Sequence, residues 1–209
     1  MNAPMLIDYY FWLSSDWSLL GHRRFLSLAR RFGAKVCFHP MRMKGLLDLT
    51  GGVVLNERSR QRRDYRMVEL QRWRDRLGFP ITLNPKHFPV DNERALRVVA
   101  GAVSSDCDVG DLVEGYMRAV WIEDRDISDQ STVIDIAVRH GLDAARAEYW
   151  IAAADSSQAL SVHTRAAAAA GVFGAPSYVV AGEVFWGQDR LDFLAERLQA
   201  VALAAACKT

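Results

Sequence analysis

Strand-forming segments lie at the two ends of the chain and enclose a long helical block, and this order constrains the fold more than any other feature. At the N-terminus, an apolar and aromatic run predicts a strand over 5–13. Apolar residues at helical spacing then predict a helix over 17–32, and a second apolar run predicts a strand over 35–41. The C-terminal elements are strands over 177–180 and 183–186, joined by Ala181-Gly182, and a final helix over 189–205. The two ends are therefore expected to meet in one sheet.

The middle of the chain predicts helices only. Apolar residues recur there at helical spacing, and short turns with Gly, Pro or Asp separate the segments. Few β-branched runs of the kind that favour strands occur in this region. The predicted helices are 57–77, 92–103, 108–121, 132–140, 143–153 and 156–170. One sheet flanked by helices, an α/β arrangement with a helical lid, satisfies this order, and the cleft between sheet and lid is the expected site.

The composition of the chain excludes several functional classes. Half of the 209 residues are hydrophobic and the formal net charge is +1, which excludes a disordered chain and a global field that would recruit nucleic acid or anionic lipid. The N-terminal segment predicts a strand rather than a signal peptide, and no apolar run approaches the ~20 residues of a membrane span. Cys37, Cys107 and Cys207 are far apart and form no Cys-x-x-Cys motif, so we expect a reducing, cytoplasmic location and no metal site.

The first candidate site is the junction of the first strand and helix, where the sequence reads Ser14-Ser15-Asp16-Trp17-Ser18. Backbone N–H groups at a helix N-terminus are unpaired and carry partial positive charge, so they stabilise an anion placed against them. A serine hydroxyl there can add a hydrogen bond to a thiolate or carboxylate. The structural alternative, favoured by the residue type alone, is that Ser14 or Ser15 only caps the helix.

Two further candidates lie around the C-terminal strands. The segment 171–177 places Pro176 at the entry of a strand, where it is either a structural turn or an edge against which a ligand lies as an extra strand. Asp189 at the start of the final helix is most simply its N-cap. The functional alternative is a carboxylate that, with Gln188, receives the α-amino group of an amino-acid-like ligand.

The segment 57–76 is rich in arginine, with eight Arg against four acids. Because the acids interleave at helical spacing, a solvated helix face is the favoured interpretation. The alternative is that one or two of these arginines face the cleft and meet an anionic substrate. Of the histidines, His22 is expected on the surface of the first helix rather than as a catalytic base.

Three of these signals occur in a fixed order: a serine at the first strand–helix junction, Gly-Ala-Pro before a strand, and Trp-Gly-Gln-Asp-Arg after it. Together they resemble the 2-hydroxychromene-2-carboxylate isomerases, relatives of the kappa-class glutathione transferases within the DsbA-like thioredoxin superfamily. The resemblance runs from Leu6 to about Leu198. Its strongest pieces are Asp8-Tyr-Tyr-Phe with Ser15, Asp64-Tyr, Leu70-Gln-Arg-Trp73, His87-Phe-Pro89, Val172–Ser177 and Phe185–Leu191.

The resemblance implies a thioredoxin-like α/β fold with a large all-helical insertion domain, of the DsbA and kappa glutathione transferase type. It places the thioredoxin-like domain at 1–45 and 156–209 and the helical insertion domain at 46–155. It also implies a homodimer, with glutathione as cofactor and a small aromatic carboxylate as substrate.

The resemblance further assigns roles to residues. Ser15 falls where the active hydroxyl holds the glutathione sulfur as a thiolate, the reactive form. Ala175 would pair backbone-to-backbone with glutathione beside a cis-Pro176, and Gln188 and Asp189 would take its γ-glutamyl end. Trp186, Gly187 and Asn56 complete the implied glutathione site. The implied substrate contacts are the aromatic residues Trp17 and Phe88, with Trp12 and Trp186 as further walls, and Lys44 as a loose substitute for a family lysine.

The implied reaction is a reversible isomerisation in the catabolism of naphthalene-like aromatics, in which glutathione thiolate adds to 2-hydroxychromene-2-carboxylate and trans-o-hydroxybenzylidenepyruvate is released. Asp16 stands where the family usually has proline, and its charge opposes thiolate formation unless its side chain turns to the helix N-terminus. The alternatives are a kappa-like glutathione S-transferase acting on other electrophiles and a non-catalytic glutathione- or peptide-binding module. The missing Cys-x-x-Cys argues against a thiol–disulfide oxidoreductase.

Overall fold

The computed structural model describes residues 5–206, in which helices surround one mixed sheet. The strands are β1 (Leu6–Phe11), β2 (Lys35–Pro40), β3 (Ser177–Val180) and β4 (Glu183–Trp186). The helices are α1 (Asp16–Arg31), α2 (Met43–Thr50), α3 (Arg60–Leu77), α4 (Glu93–Ser104), α5 (Gly110–Trp121), α6 (Gln130–Arg139), α7 (Ala144–Ala152), α8 (Ala154–Ala169) and α9 (Leu191–Ala206). Short 3-10 helices cover Leu55–Glu57 and Gln188–Arg190. Cys207, the third cysteine of the chain, lies outside the described residues.

The sheet joins the two ends of the chain, as the sequence predicts. Its strand order is β2-β1-β3-β4, with β1 parallel to β2 and antiparallel to β3. Helices α2 to α8 all lie between β2 and β3 in the sequence, and α8 packs back against β2. A mixed sheet with this helical content confirms the expected thioredoxin-like fold.

Aromatic side chains between the sheet and α1 form the centre of the core. Tyr9 of β1 stacks on Tyr178 of β3, with ring centroids 5.4 Å apart, and Phe25 of α1 lies 4.5 Å from the Tyr178 ring. All three are fully buried. Complete burial of one such side chain contributes about 1.5–3 kcal/mol, so this cluster fixes α1 firmly on the sheet.

The first helix begins and ends as its sequence indicates. Ser15 is its N-cap, and Gly33, just beyond its end, adopts φ 60°, the left-handed conformation that glycine takes at no steric cost. The start of this helix is therefore held in a defined position at the end of β1.

The structure corrects several predicted elements. Helix α2 was not expected; it has eight residues and no side-chain cap, and it is held by burial of Leu46 and Leu47. Helix α3 begins at Arg60 rather than at 57, because Ser59 accepts a hydrogen bond from the Arg62 N–H and so caps it. The final helix begins at Leu191, after a 3-10 turn.

His22 is buried in the core, which corrects its expected place on the surface of α1. Its Nε2 lies 2.9 Å from the carbonyl oxygen of Gly110 and its Nδ1 lies 3.2 Å from the Tyr9 hydroxyl. Burial, the largest cause, lowers the pKa of His22. A neutral ring that donates from Nε2 and accepts at Nδ1 satisfies both contacts and joins α1 to α5.

Arg42, between β2 and α2, ties the sheet to the helical part. It forms a two-pronged ion pair with Glu93 of α4, with N–O distances of 2.5 and 2.9 Å. It also donates to the hydroxyls of Ser157 and Ser161 on α8. Within residues 5–206, no helix is long and apolar enough to cross a membrane.

Candidate active site

The three segments singled out in the sequence lie at one end of the sheet. Tyr10 of β1 pairs with Ser177 of β3, and Ser177 pairs with Trp186 of β4. Because these strands alternate in direction, the chain leaves β1, enters β3 and leaves β4 at the same end. The Gly187 N–H donates to the Pro176 carbonyl at 2.9 Å, which ties two of these segments together.

Ser15 is both a cap and a possible donor. It is buried, and its Oγ accepts a hydrogen bond from the Ser18 N–H at 3.0 Å. Within the described residues this is the only hydrogen bond of the Ser15 side chain, so its O–H hydrogen remains free to donate to a ligand atom. Capping and ligand binding are therefore compatible at this residue.

The residue before it is held by the helical part of the chain. Asn92 donates to the Ser14 Oγ at 2.7 Å, and the Trp121 indole N–H donates to the Ser14 carbonyl at 3.3 Å. Neither Asn92 nor Trp121 was singled out from the sequence, because neither belongs to a local motif. Both fix the backbone that leads into Ser15.

Asp16 is neutralised by an ion pair that the sequence did not predict. Its Oδ2 lies 2.5 Å from Nη2 of Arg66 on α3, and its Oδ1 accepts the N–H of Trp17 at 2.9 Å. Burial, the largest cause, raises the pKa of Asp16, and the charge of Arg66 opposes that rise. Arg66 thus faces inward, while the solvated-face interpretation holds for neighbours such as Arg60, whose side chain is 86% exposed.

The loop before β3 presents an unpaired backbone. The Ala175–Pro176 peptide is cis, as the resemblance implies, and Ser177 Oγ donates to the Gly174 carbonyl at 2.8 Å. Within residues 5–206, the N–H and C=O of Ala175 take part in no turn, loop or side-chain hydrogen bond. The Trp186 indole packs on Gly174, and a larger residue at position 174 would displace this ring.

The segment after β4 differs in detail from its expected role. The Gln188 side chain is buried, and its Oε1 accepts from Arg24 at 2.6 Å. Asp189 lies in the 3-10 turn and forms an ion pair with Arg190 at 3.0 Å, so the interpretation that it caps the final helix is wrong. Asp189 is exposed and remains accessible to a ligand.

Two aromatic pairs flank this end of the molecule. Phe88 packs on Trp121 with ring centroids 4.6 Å apart, and Arg66 lies 5.5 Å above the Phe88 ring. Phe173 packs edge-on against Trp186 at 4.7 Å. Trp12 and Trp17 are both half-buried next to the Ser15 junction. These rings can form the walls of a site for a flat ligand.

Lys44 and Asn56 are not brought to Ser15 by any contact within the described residues. Lys44 is exposed and pairs with Asp48 one turn along α2 at 2.8 Å. Asn56 is exposed in the 3-10 helix, and its carbonyl accepts from Arg63 at 2.8 Å. In residues 5–206 no group of three or more His, Cys, Asp or Glu side chains is placed to hold a metal ion.

Comparison with known proteins agrees with this architecture. The profile of the family described as the DSBA-like thioredoxin domain matches residues 6–199. The 2-hydroxychromene-2-carboxylate isomerase of Sphingobium xenophagum is 30% identical over 90% of this chain and 95% of its own. The enzyme of the same name from Pseudomonas putida is 26% identical over 91% of this chain and 92% of its own.

A solved structure agrees with both sequence comparisons. The structure of a 2-hydroxychromene-2-carboxylate isomerase matches with a TM-score of 0.79 at 25% identity, covering 98% of this chain and 100% of the other. The match therefore includes the sheet, the helical part and the end of the sheet that carries Ser15. The chain is an isomerase that belongs to the DsbA-like thioredoxin domain family and, within it, to the family of the 2-hydroxychromene-2-carboxylate isomerases.

Proposed function

We propose that the protein interconverts 2-hydroxychromene-2-carboxylate and trans-o-hydroxybenzylidenepyruvate with glutathione as its cofactor. The observation that carries the proposal is the geometry of Ser15, a buried cap of α1 whose hydroxyl hydrogen has no partner within the described residues. Family membership supports the reaction class, since the relatives are named for this substrate.

The cofactor sulfur would lie against the N-terminus of α1. There the Ser15 hydroxyl donates to it, and the partial positive charge at the N-terminus of the helix favours its negative charge. Asp16 adds no net charge to this position, because Arg66 balances it at 2.5 Å. This supports a lowered thiol pKa, and hence a higher fraction of the nucleophilic thiolate at neutral pH.

The rest of the cofactor would follow the loop before β3. The free N–H and C=O of Ala175 offer one backbone pair of hydrogen bonds to the cysteine residue of glutathione. Trp186, Gly187 and the exposed carboxylate of Asp189 then meet its γ-glutamyl end. The amide oxygen of Gln188 already accepts a hydrogen bond from Arg24, so Gln188 would help mainly by fixing the position of this segment.

The proposed reaction uses the sulfur as a temporary nucleophile. Thiolate addition forms a carbon–sulfur bond on the conjugated system, the ring opens, and the former double bond becomes single and free to rotate. Expulsion of the thiolate breaks the carbon–sulfur bond and restores the double bond in the trans arrangement. Glutathione is returned unchanged and no atoms are gained or lost, as an isomerisation requires.

The test is to follow the isomerisation with reduced glutathione, with S-methylglutathione and with no addition. S-methylglutathione is the matched control, because it retains the binding groups but cannot form a thiolate. We expect turnover with reduced glutathione only. Turnover without a free thiol would refute the cofactor assignment, and conjugation of other electrophiles without isomerisation would favour a transferase.

A further inference from the structure

Arg66 stands apart from the other arginines of α3. Its guanidinium pairs with Asp16 directly beside Ser15, and it lies 5.5 Å above the ring of Phe88 and 5.7 Å from that of Trp121. Only 13% of its side chain is exposed. A cation is therefore fixed against an aromatic wall, in contact with the residue that follows Ser15.

Not all of the donors of Arg66 are occupied. Nη2 donates to Asp16 and Nη1 contacts the sulfur of Met67 at 3.4 Å. The remaining N–H groups of this five-donor fork make no hydrogen bond within residues 5–206. Such groups suit a planar carboxylate, which arginine binds through two parallel hydrogen bonds.

The surroundings of Arg66 carry an excess of positive charge. Burial, followed by the charges of Arg62 and Arg66, lowers the pKa of Arg58, and Asp16 opposes this change. In the described part of the chain neither Arg58 nor Arg62 forms an ion pair, and the Arg58 Nε donates only to the Val53 carbonyl. Three arginines against one carboxylate leave two positive charges uncompensated, and a bound anion would relieve their repulsion.

We propose that Arg66, held in place by Asp16 and supported by Arg58, binds the carboxylate of the aromatic substrate beside Ser15. The inference rests on the proposed function and identifies the carboxylate-binding residue within it. Phe88 and Trp121 lie under the guanidinium, so a flat ring continuous with the carboxylate would pack against the same wall. Lys44, the residue suggested by the family resemblance, is instead occupied by Asp48.

The test compares two nearly isosteric probes, trans-cinnamate and trans-cinnamamide, which differ in charge and do not turn over. Binding is followed by NMR, using the indole N–H signals of the tryptophans, among them Trp121. We expect the wild-type protein to prefer cinnamate by about tenfold or more, in line with a hydrogen-bonded charge pair. Arg66→Met should bring the ratio close to one, and Arg66→Lys should give an intermediate ratio.

Arg60→Met is the matched control, since Arg60 lies on the same helix but is exposed and paired with Asp64. It should leave the ratio unchanged. Should Arg66→Met fail to fold, two other variants decide: Arg58→Met should lower the cinnamate preference about threefold and Asp16→Asn should raise it by a similar factor. If the cinnamate preference stayed the same in both variants, the proposal would be overturned.

A wild-type protein without preference for cinnamate, or an Arg66→Met variant that retains it, would also overturn the assignment. Loss of glutathione affinity with an unchanged cinnamate ratio would place a glutathione carboxylate at Arg66 instead. The probe ratio requires no turnover. A failure of the proposed function, seen as absent glutathione-dependent isomerisation, is therefore distinguishable from a failure of this inference.

Discussion

Arg66 of α3 donates to the carboxylate of Asp16 at 2.5 Å, although fifty positions separate them in the sequence, and both side chains are largely shielded from water. Asp16 places a negative charge next to the hydroxyl that would hold a thiolate, and an unbalanced charge there would oppose thiolate formation. Arg66 supplies the balancing charge and at the same time docks α3 against the N-terminus of α1.

Breaking this pair from one side should be costly. Arg66→Met leaves a buried, unpaired carboxylate, and we expect a loss on the order of 3 kcal/mol in the free energy of unfolding. The double variant Asp16→Asn/Arg66→Met should lose less than the sum of the two single variants, because no buried charge remains. Urea unfolding of all four proteins measures the coupling, and additive losses would show that the pair contributes nothing.

The two roles of Ser15 can be separated by choice of substitution. Ser15→Ala removes the cap and the hydroxyl, so stability should fall by about 1 kcal/mol and glutathione-dependent turnover should be lost. Ser15→Gly also removes the hydroxyl but costs only a few tenths of a kcal/mol as a cap. If Ser15→Gly retained full turnover, Ser15 would be a cap alone. Ser18→Ala is the control, since the buried Ser18 Oγ has no hydrogen-bond partner among the described residues and its loss should not destabilise.

Gly21 sets the distance between α1 and the segment after β4. A Cβ at this position would lie 2.8 Å from both the Gln188 Cβ and the Tyr178 hydroxyl. Gly21→Ala should therefore push the 3-10 turn away from α1 and destabilise the protein by about 1–3 kcal/mol. Calorimetric titration should also show weaker glutathione binding. Unchanged stability and affinity would mean that this contact relaxes freely, and Gly45→Ala, with 3.4 Å of clearance, is the milder comparison.

His163 should make stability depend on pH in the weakly acidic range. Its Nδ1 lies 2.9 Å from the Nδ1 of His39, whose Nε2 lies 2.8 Å from Asp8. Burial, then the charge of His39, lowers the pKa of His163 to about 4, against about 6.5 in an unfolded chain. The unfolded state therefore binds the proton first, so the stabilisation is complete above about pH 6.5 and is lost as the pH falls towards 4.

The corresponding measurement is the free energy of unfolding between pH 4 and 7 for the wild-type protein and for His163→Gln. The wild-type loss should exceed that of the variant by up to about 3 kcal/mol. His140→Gln, at an exposed position at the end of α6, should follow the wild-type curve. Parallel curves for wild type and His163→Gln would contradict the assignment.

The sequence predicts those parts of the fold that local chemistry controls. Strands β3 and β4 have their predicted bounds, because Ala181 and Gly182 take the positive φ values of 50° and 81° that a tight hairpin requires. Helix α2 escapes prediction, since eight residues without a capping side chain are stabilised mainly by tertiary burial.

In the candidate site, too, the residues that belong to local motifs are predictable and those placed by tertiary packing are not. Ser15 and the cis-Pro loop could be found because each belongs to a local motif. Arg66 could be suspected only as one of eight similar arginines, because its partner depends on how α3 docks against α1. Asn92 and Trp121 act through Ser14 from distant helices and carry no local signal. The domain boundaries, the homodimer and the cytoplasmic location stay predictions.

The central claim, that glutathione binds at Ser15 as a thiolate, is tested most directly by the thiol pKa of the bound cofactor. Ultraviolet thiolate absorbance is titrated with pH for protein with glutathione, with S-methylglutathione as the baseline that cancels the protein's own cysteines. We expect the bound thiol to titrate at least about one pH unit below free glutathione, and to return towards the free value in Ser15→Gly. A bound thiol that titrates like free glutathione, or one that Ser15→Gly leaves unchanged, would contradict the account.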